Sequence, residues 1–251
     1  MFRNAAAFLW SRMRERIKTK EHRMITLWRI AAALGLLVLL LLYVALPPVH
    51  RVVSGWVMAL TQRSVLASAG VVGQAGAFAP LKAAWLSAFQ TFALPWLTPY
   101  SIGGNVLALG PVVGGLASFF GTLFGASAWF WLVRLFFGSR IKTPTEHPHA
   151  LTAWEGFSLV AALNWLSLGM LSLAGAVFGI TRVRFTKFLL CAAISELPIV
   201  ILFAVYSNPY RALLPNVVAR ILRCLGILLL LAGVVMEVKR RKKDAGGPLQ
   251  T

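Results

Sequence analysis

The sequence predicts an all-α integral membrane protein with about four transmembrane helices and two opposed re-entrant helical hairpins that form an inverted repeat. Its 251 residues are 59% hydrophobic and 13% charged, whereas an ordinary soluble domain is about 25% charged. The fifty-one residues between Lys82 and Arg134 include no Asp, Glu, Lys or Arg. Because Pro95, Pro99 and the pair Gly110-Pro111 interrupt this run, it cannot be one smooth helix.

The N-terminal segment, residues 1–27, is predicted to be a basic amphipathic segment on the cytoplasmic side. Seven Lys and Arg residues lie from Arg3 to Arg23, and positive charge beside an apolar segment is retained in the cytoplasm. We expect no secretory signal here, because the basic region is too long and no small-residue cleavage site follows the apolar run. A mitochondrial transit peptide is the alternative interpretation of this Arg-rich, acid-poor stretch.

Residues 28–238 form the predicted membrane domain, and residues 239–251 form a basic cytoplasmic tail that begins with five consecutive Lys and Arg residues. Basic segments at both ends favour two cytoplasmic termini, which requires an even number of crossings. Residues 51–80 are predicted as interfacial helix and loop. About 20 apolar residues cross a bilayer, and four segments meet this length, at about 28–46, 116–137, 188–206 and 212–236.

Two further uncharged stretches, 83–115 and 156–181, are broken by glycine or proline. With four crossings, the first stretch enters the membrane from outside and the second from inside. Irregular backbone at membrane depth is tolerated only where protein covers it or where it lines a cavity, and opposed broken helices build the midplane sites of transporters. The alternative counts each hairpin arm as a full span, which gives six to eight crossings.

Glu196 is the one acidic residue well inside an apolar span. A charge at mid-bilayer costs about 3 kcal/mol or more, so such residues face partners or cavities. Arg223 and Arg220 reach a similar depth on the far side of the turn at Pro209, and we predict that one of them pairs with Glu196. A structural ion pair, a neutral carboxyl group and a proton relay all remain open.

Both predicted hairpins contain candidate transport residues. Pro95, Pro99 and Ser101 shape the tip of the first hairpin, where unsatisfied backbone groups could be offered to a phosphate headgroup or an ion. The alternative is a turn buried by its neighbours. Asn164, in the second hairpin, is either a polar cavity residue or a partner for a freed backbone carbonyl group.

The formal net charge of +18 is concentrated beside apolar segments, which favours anionic lipid over nucleic acid as the partner. The long side chains of basic residues snorkel to the membrane surface. Four arginines near the predicted inner surface are therefore candidates for lipid-headgroup contact: Arg134, Arg140, Arg182 and Arg184.

No catalytic, phosphate-binding or metal-binding motif is recognisable, so we expect no enzyme activity, no cofactor and no metal site. His147-Pro148-His149 lacks a supporting Cys or Asp, and Cys191 and Cys224 form no disulfide or metal pattern. The sequence leaves open whether the chain forms a homo-oligomer.

Several short motifs occur in an informative order. Leu94-Pro95 and Thr98-Pro99-Tyr100-Ser101 are followed by Phe136-Phe137-Gly138-Ser139-Arg140, and later by the stretch from Phe178 to Leu189, FGITRVRFTKFL. The glycines between the first motifs are Gly110, Gly114, Gly121 and Gly125, and Pro198 follows the last motif. Roughly residues 80–210 thereby resemble the DedA/VTT superfamily, also called SNARE-associated Golgi proteins.

The resemblance implies a VTT-like core of two opposed re-entrant hairpins. It also implies transbilayer movement, by flipping or scrambling, of a phospholipid or lipid-linked phosphate, with ion coupling proposed for bacterial members. The implied location is a bacterial inner membrane or a eukaryotic Golgi or ER membrane. The alternative function is a non-transporting scaffold in membrane trafficking or organisation.

Two departures from the family pattern bear on that function. Many members carry an Arg and two prolines in the second hairpin, where this chain has Asn164, Ser167 and Met170. The bacterial branch carries a Glu just after the prolines of the first hairpin, where this chain has Ser101-Ile102. The loss of both charges argues against ion coupling of the family type.

Overall fold

The computed structural model describes residues 26, 29–38, 41–137, 153–167, 169–181, 183–206 and 216–245. These residues are helical apart from short turns and breaks, and none is in a strand, which confirms the all-α class. The chain divides into two compact units, Met1–Val53 and Ser54–Thr251. The first unit contains helix α1, Arg29–Ala45, in which residues 39 and 40 are not described.

The remaining helices follow in chain order. Helix α1 ends just before Pro47, as the sequence predicts, since Pro47 opens the next helix instead of continuing the first. The helices are α2 (Pro47–Thr61), α3 (Val65–Gly73), α4 (Ala79–Ala93), α5 (Thr98–Leu109), α6 (Pro111–Phe137), α7 (Ala153–Leu166), α8 (Leu171–Ile180), α9 (Phe185–Tyr206) and α10 (Asn216–Ala245).

Helices α4 and α5 are the two arms of the first hairpin. Leu94 ends α4, a 3₁₀ turn follows at Pro95–Leu97, and α5 begins at Thr98. Arms of 15 and 12 residues are about 22 and 18 Å long at 1.5 Å per residue, which is shorter than the hydrocarbon core of about 30 Å.

The second arm ends earlier than predicted, and the following span starts earlier. The sequence ends the hairpin at residue 115 and places the span at 116–137, but α6 starts at Pro111 and has 27 residues. The break is at Gly110, whose φ of +82° stops α5. Gly114 and Gly115 therefore belong to α6, where Gly114 lies against the backbone of Asn105.

Helices α7 and α8 form the second hairpin, with arms of 14 and 10 residues. The break between them includes Gly169, which has a φ of +107°. Helix α9 continues through Pro198. Helix α10 extends to Ala245, so part of the basic C-terminal segment that was predicted as a tail is helical.

The two halves of the bundle repeat one packing scheme. Each half has two short helices followed by a long one, α4–α5–α6 and α7–α8–α9. The first arm of each hairpin packs on the long helix of its own half, α4 on α6 and α7 on α9. The second arm packs on the long helix of the other half as well, α8 on α6 and α5 on α9. Both hairpins are thus held between α6 and α9.

Glycines let the backbones approach closely at these contacts. Gly121 and Gly125 of α6 face α4, and a Cβ added at Gly125 would lie 2.7 Å from the carbonyl oxygen of Ala88. Gly175 and Gly179 of α8 face α6 in the same way. The first pair follows the small-xxx-small pattern, in which small residues let membrane helices pack closely.

Three described helices are long and apolar enough to cross a membrane, namely Pro111–Phe137, Phe185–Tyr206 and Val217–Met236. A fourth span is counted if Arg29–Ala45 and Val49–Thr61 together form one broken span. The protein is therefore an integral membrane protein by the length and composition of its helices. The last span is only 11% buried, against 44% and 39% for the other two.

Candidate functional site

The tips of the two hairpins contact each other at Thr98 and Gly169. The Thr98 hydroxyl lies 2.9 Å from the carbonyl oxygen of Gly169 and 2.8 Å from that of Pro95. A Cβ added at Gly169 would lie 2.6 Å from Cγ2 of Thr98. Glycine is therefore required at 169 for two reasons, the positive φ and the close approach.

Gln90 connects the first tip to the arm before it. Its amide Nε2 donates to the Thr98 hydroxyl at 2.6 Å and also lies 3.3 Å from the carbonyl oxygens of Leu94 and Pro95. Its Oε1 accepts from Ser101 at 3.3 Å. The carbonyl groups of the tip are thus bonded inside the protein, and Pro99 is buried. This arrangement agrees with a turn buried by its neighbours.

Asn105 extends the bonding toward α6. Its Nδ2 lies 2.9 Å from the hydroxyl oxygens of Ser87 and Ser118 and 3.2 Å from the carbonyl oxygen of Ala83. Ser87 and Ser101 are joined at 3.1 Å. We call this set the hairpin network. Its side chains are uncharged and fully buried, and they are Ser87, Gln90, Thr98, Ser101, Asn105 and Ser118.

A second polar cluster joins α7 to α9. Asn164 Nδ2 donates to Oε2 of Glu196 at 2.7 Å, and both side chains are fully buried. The neighbouring Trp165 donates from Nε1 to the carbonyl oxygen of Ser195 at 2.8 Å. The Thr122 hydroxyl, which donates to Phe119 of α6, also lies close to the Glu196 carboxyl group. We call Thr122, Asn164 and Glu196 the carboxyl site.

Two oxygen atoms of the carboxyl site accept no hydrogen bond from any residue that the structure describes. They are Oε1 of Glu196 and Oδ1 of Asn164, and both are buried. Buried polar atoms are usually paired, so two such atoms in one cluster require an explanation.

The predicted pairing of Glu196 with Arg223 or Arg220 is wrong. Both arginines are exposed, and the carboxyl group bonds to Asn164 instead. Leu222 is the residue of α10 that faces the core at this level, with 5% of its surface exposed. Successive helical residues are rotated by about 100°, so Arg223 and Arg220 point away from α9.

Comparison with known proteins bears directly on this region. Residues 94–208 match the family model of the VTT domain. The chain contains a VTT domain. This match confirms the resemblance to the DedA/VTT superfamily. No curated protein and no solved structure matches the chain.

The VTT domain includes both hairpin tips and the carboxyl site, but not Gln90 or Ser87. The hairpin network therefore joins the domain to the arm α4 that precedes it. Each polar contact described above has at least one partner within the matched range.

Arg134 is bonded within the VTT domain. Its Nη1 donates to the carbonyl oxygen of Val183 at 2.9 Å, and its Nη2 lies 3.4 Å from that of Thr181. The guanidinium carbon lies 5.0 Å from the centre of the Phe130 ring, within the range of a cation–π interaction. Arg134 thus secures the carbonyl groups after α8, which revises its interpretation as a snorkelling residue.

Of the other three arginines predicted to contact lipid headgroups, the structure describes only one. Arg184 is exposed, and its contact with lipid stays a prediction. Arg140, Arg182 and the pair His147 and His149 lie outside the described residues. Within the described ranges, no group of three or more His, Cys, Asp or Glu side chains could hold a metal ion.

Most of the hairpin network was not predicted from the sequence, because its members are uncharged residues within the apolar run. A signal was present in the spacing of polar residues. Ser87 and Gln90 on α4 are three apart, as are Thr98 and Ser101 on α5. Residues three, four or seven apart share one helix face. Asn105 follows Ser101 by four residues on α5, and Thr122 follows Ser118 by four residues on α6.

Proposed function

We propose that this VTT-domain protein mediates transbilayer movement of a phospholipid or lipid-linked phosphate. The observation that supports the proposal most is the contact of two broken hairpins at Thr98 and Gly169. Next to this contact, the polar side chains of the hairpin network lie in the interior of an apolar bundle. The lipid headgroup would pass along this interface while the acyl chains remain in the bilayer.

The hairpin network is suited to a polar headgroup because its groups are neutral donors and acceptors. Hydroxyl and amide groups can exchange hydrogen bonds with a phosphate as the headgroup passes, without the cost of burying a protein charge. We propose that the two hairpins enter from opposite faces of the membrane, so that separation of Thr98 from Gly169 opens the path. Broken helices at the interface of two repeats form such midplane paths in transporters.

A vesicle assay tests this function. The purified protein is reconstituted with an acyl-labelled fluorescent phospholipid, and a membrane-impermeant reductant is added to quench the outer leaflet. Wild type is expected to expose the inner-leaflet lipid to quenching, because it moves between leaflets. Gln90→Leu should slow this movement, since it removes the donor that joins α4 to the tip.

The matched control is Gln74→Leu, which makes the same change at an exposed glutamine. It should leave the rate unchanged. Monodisperse wild-type protein that leaves the inner leaflet protected would rule out the proposal. We also propose that anionic headgroups gather at the basic segments, so the rate should rise with the fraction of anionic lipid and fall with added salt.

A scaffold function is the second candidate. It is favoured by the burial of the hairpin network, whose side chains are bonded to one another and leave Oδ1 of Asn105 without a partner among the described residues. A buried and bonded network favours one rigid packing of the hairpins rather than a path. Folded protein that moves no lipid, in both neutral and anionic vesicles, would favour the scaffold.

A further inference from the structure

The carboxyl site has the properties of an incomplete binding site. Glu196 Oε1 and Asn164 Oδ1 are acceptor atoms, both buried and both without a donor among the described residues. The amide group of Asn164 has already donated to the other oxygen of the same carboxyl group. The two unpaired oxygen atoms therefore belong to two side chains that are bonded to each other. Each of these atoms lacks a hydrogen-bond donor or a positive charge beside it.

The charged residues of the surrounding helices do not supply the missing donor or positive group. Helices α5 and α8, which pack on α9, contain no Asp, Glu, His, Lys or Arg. On α9 itself the nearest cation in sequence is Lys187, nine residues away and thus about 13 Å along the helix. On α6, Arg134 is bonded to Val183. Helix α7 has Glu155 nine residues before Asn164.

Thr122 adds a third oxygen to the site. Its hydroxyl lies 3.0 Å from the carbonyl oxygen of Phe119, to which it can donate, and it also lies within hydrogen-bonding reach of the Glu196 carboxyl group. The site thus combines one carboxyl group, one amide carbonyl and one hydroxyl, from α9, α7 and α6. A charge enclosed in an apolar bundle is costly unless it is compensated.

We propose that Glu196, Asn164 and Thr122 form a binding site for a single monovalent cation, either a proton or an alkali ion such as Na⁺. One carboxyl group balances one positive charge. Ca²⁺ takes six to eight oxygen ligands, usually with several carboxylates, so a divalent ion is a poor match. A proton on Oε1 would be donated to Asn164 Oδ1, and Na⁺ would be held between the two oxygens.

The site does not depend on lipid movement, so its test uses binding. The thermal unfolding midpoint of the purified full-length protein is measured in detergent, first against pH in a sodium-free choline buffer and then against NaCl with choline chloride at equal ionic strength. A cation that binds only the folded protein raises the midpoint. We expect a rise at lower pH if the ligand is a proton, or a rise with NaCl if it is Na⁺.

Glu196→Gln is the decisive variant. It supplies a neutral amide whose N–H can reach Asn164 Oδ1, so it resembles the occupied site. The midpoint of Glu196→Gln is expected to lose the response seen in the wild type. Glu155→Gln, which removes another carboxyl group from α7, should keep the wild-type response.

A measurement on the wild type alone covers the case in which the variant does not fold. Infrared spectroscopy at neutral pH without sodium detects the band of a protonated carboxyl group. Acidic side chains in water are ionised at this pH, so they do not contribute to the band. This band is expected if the ligand is a proton, and a midpoint that rises with NaCl is expected if it is Na⁺. Absence of both responses in the wild type, or their retention in Glu196→Gln, would contradict the proposal.

Discussion

Thr98 is the residue through which the first hairpin touches the second. Its hydroxyl accepts from Gln90 and lies within bonding distance of the carbonyl oxygens of Pro95 and Gly169. With one proton to donate, it serves one of the two carbonyl groups at a time. When the tips separate, the Thr98 hydroxyl can therefore replace its bond to Gly169 with a bond to Pro95. This is consistent with the path that we propose.

Substitution of Gly169 tests the contact between the tips. Gly169→Ala should lower the thermal unfolding midpoint, because alanine is strained at a φ of +107° and its Cβ would lie 2.6 Å from Cγ2 of Thr98. Backbone strain of this type costs about 1–3 kcal/mol.

A double-mutant cycle separates the two causes. Thr98→Ser removes the methyl group but keeps the hydroxyl, so the double variant should be more stable than Gly169→Ala alone. Equal midpoints for Gly169→Ala and the double variant would show that the tips are not in contact.

At single residues, the sequence predicted Glu196 and Asn164 as polar residues within the membrane domain. It did not predict the hydrogen bond between them. Sequence distance from the turn suggested arginine partners in α10 because it measures depth along a helix and not rotation about its axis. The side of α10 that faces the core is set by Leu222 and Gly226. Ser101 was predicted as a tip residue, whereas its bond to Gln90 depends on how α4 folds back on α5.

At the level of helices, the sequence predicted where helices break better than it predicted how long they are. Proline and glycine act on their own backbone, so the breaks at Pro47, Pro95 and Gly110 follow from the sequence. The start of α6 was placed too late because Gly114 and Gly115 suggested a further break. Gly114 belongs in the helix because α5 packs closely against it, whereas a Cβ at Gly115 would meet α9 only at an ordinary contact distance.

The packing of α4 on α6 gives a prediction at this level. Gly125→Ala should destabilise the protein, because the added Cβ would lie 2.7 Å from the Ala88 carbonyl oxygen and 2.8 Å from Cβ of Thr91. Overpacking of a close contact typically costs about 1–3 kcal/mol. The measurement is the thermal unfolding midpoint in detergent.

Gly70→Ala is the matched control for this change. Gly70 is also helical, and nothing lies within 4 Å of a Cβ added there. It should leave the midpoint unchanged or raise it slightly, since alanine restricts the unfolded chain more than glycine does. Similar losses in Gly70→Ala and Gly125→Ala would mean that the α4–α6 contact is not the cause.

At the level of the whole molecule, the membrane class follows from composition, and the VTT domain follows from motifs that keep their order. The additional contact of each second arm with the long helix of the other half, α5 with α9 and α8 with α6, could not be predicted from one chain. It depends on contacts between residues far apart in sequence, such as Thr98 with Gly169. The two-hairpin architecture nevertheless underlies both the proposed lipid path and the placement of the carboxyl site.

Cysteine labelling in sealed vesicles tests this architecture most directly. Single cysteines are introduced at Phe78, Val112 and Arg184, which are exposed at the ends of the hairpins, and at Trp96, which is exposed at the first tip. Cys191 and Cys224 are first replaced by alanine. An impermeant reagent should label positions 78 and 112 from one side and position 184 from the other. Position 96 should not be labelled from the side of 184, and labelling there would mean that α4 and α5 cross the membrane fully.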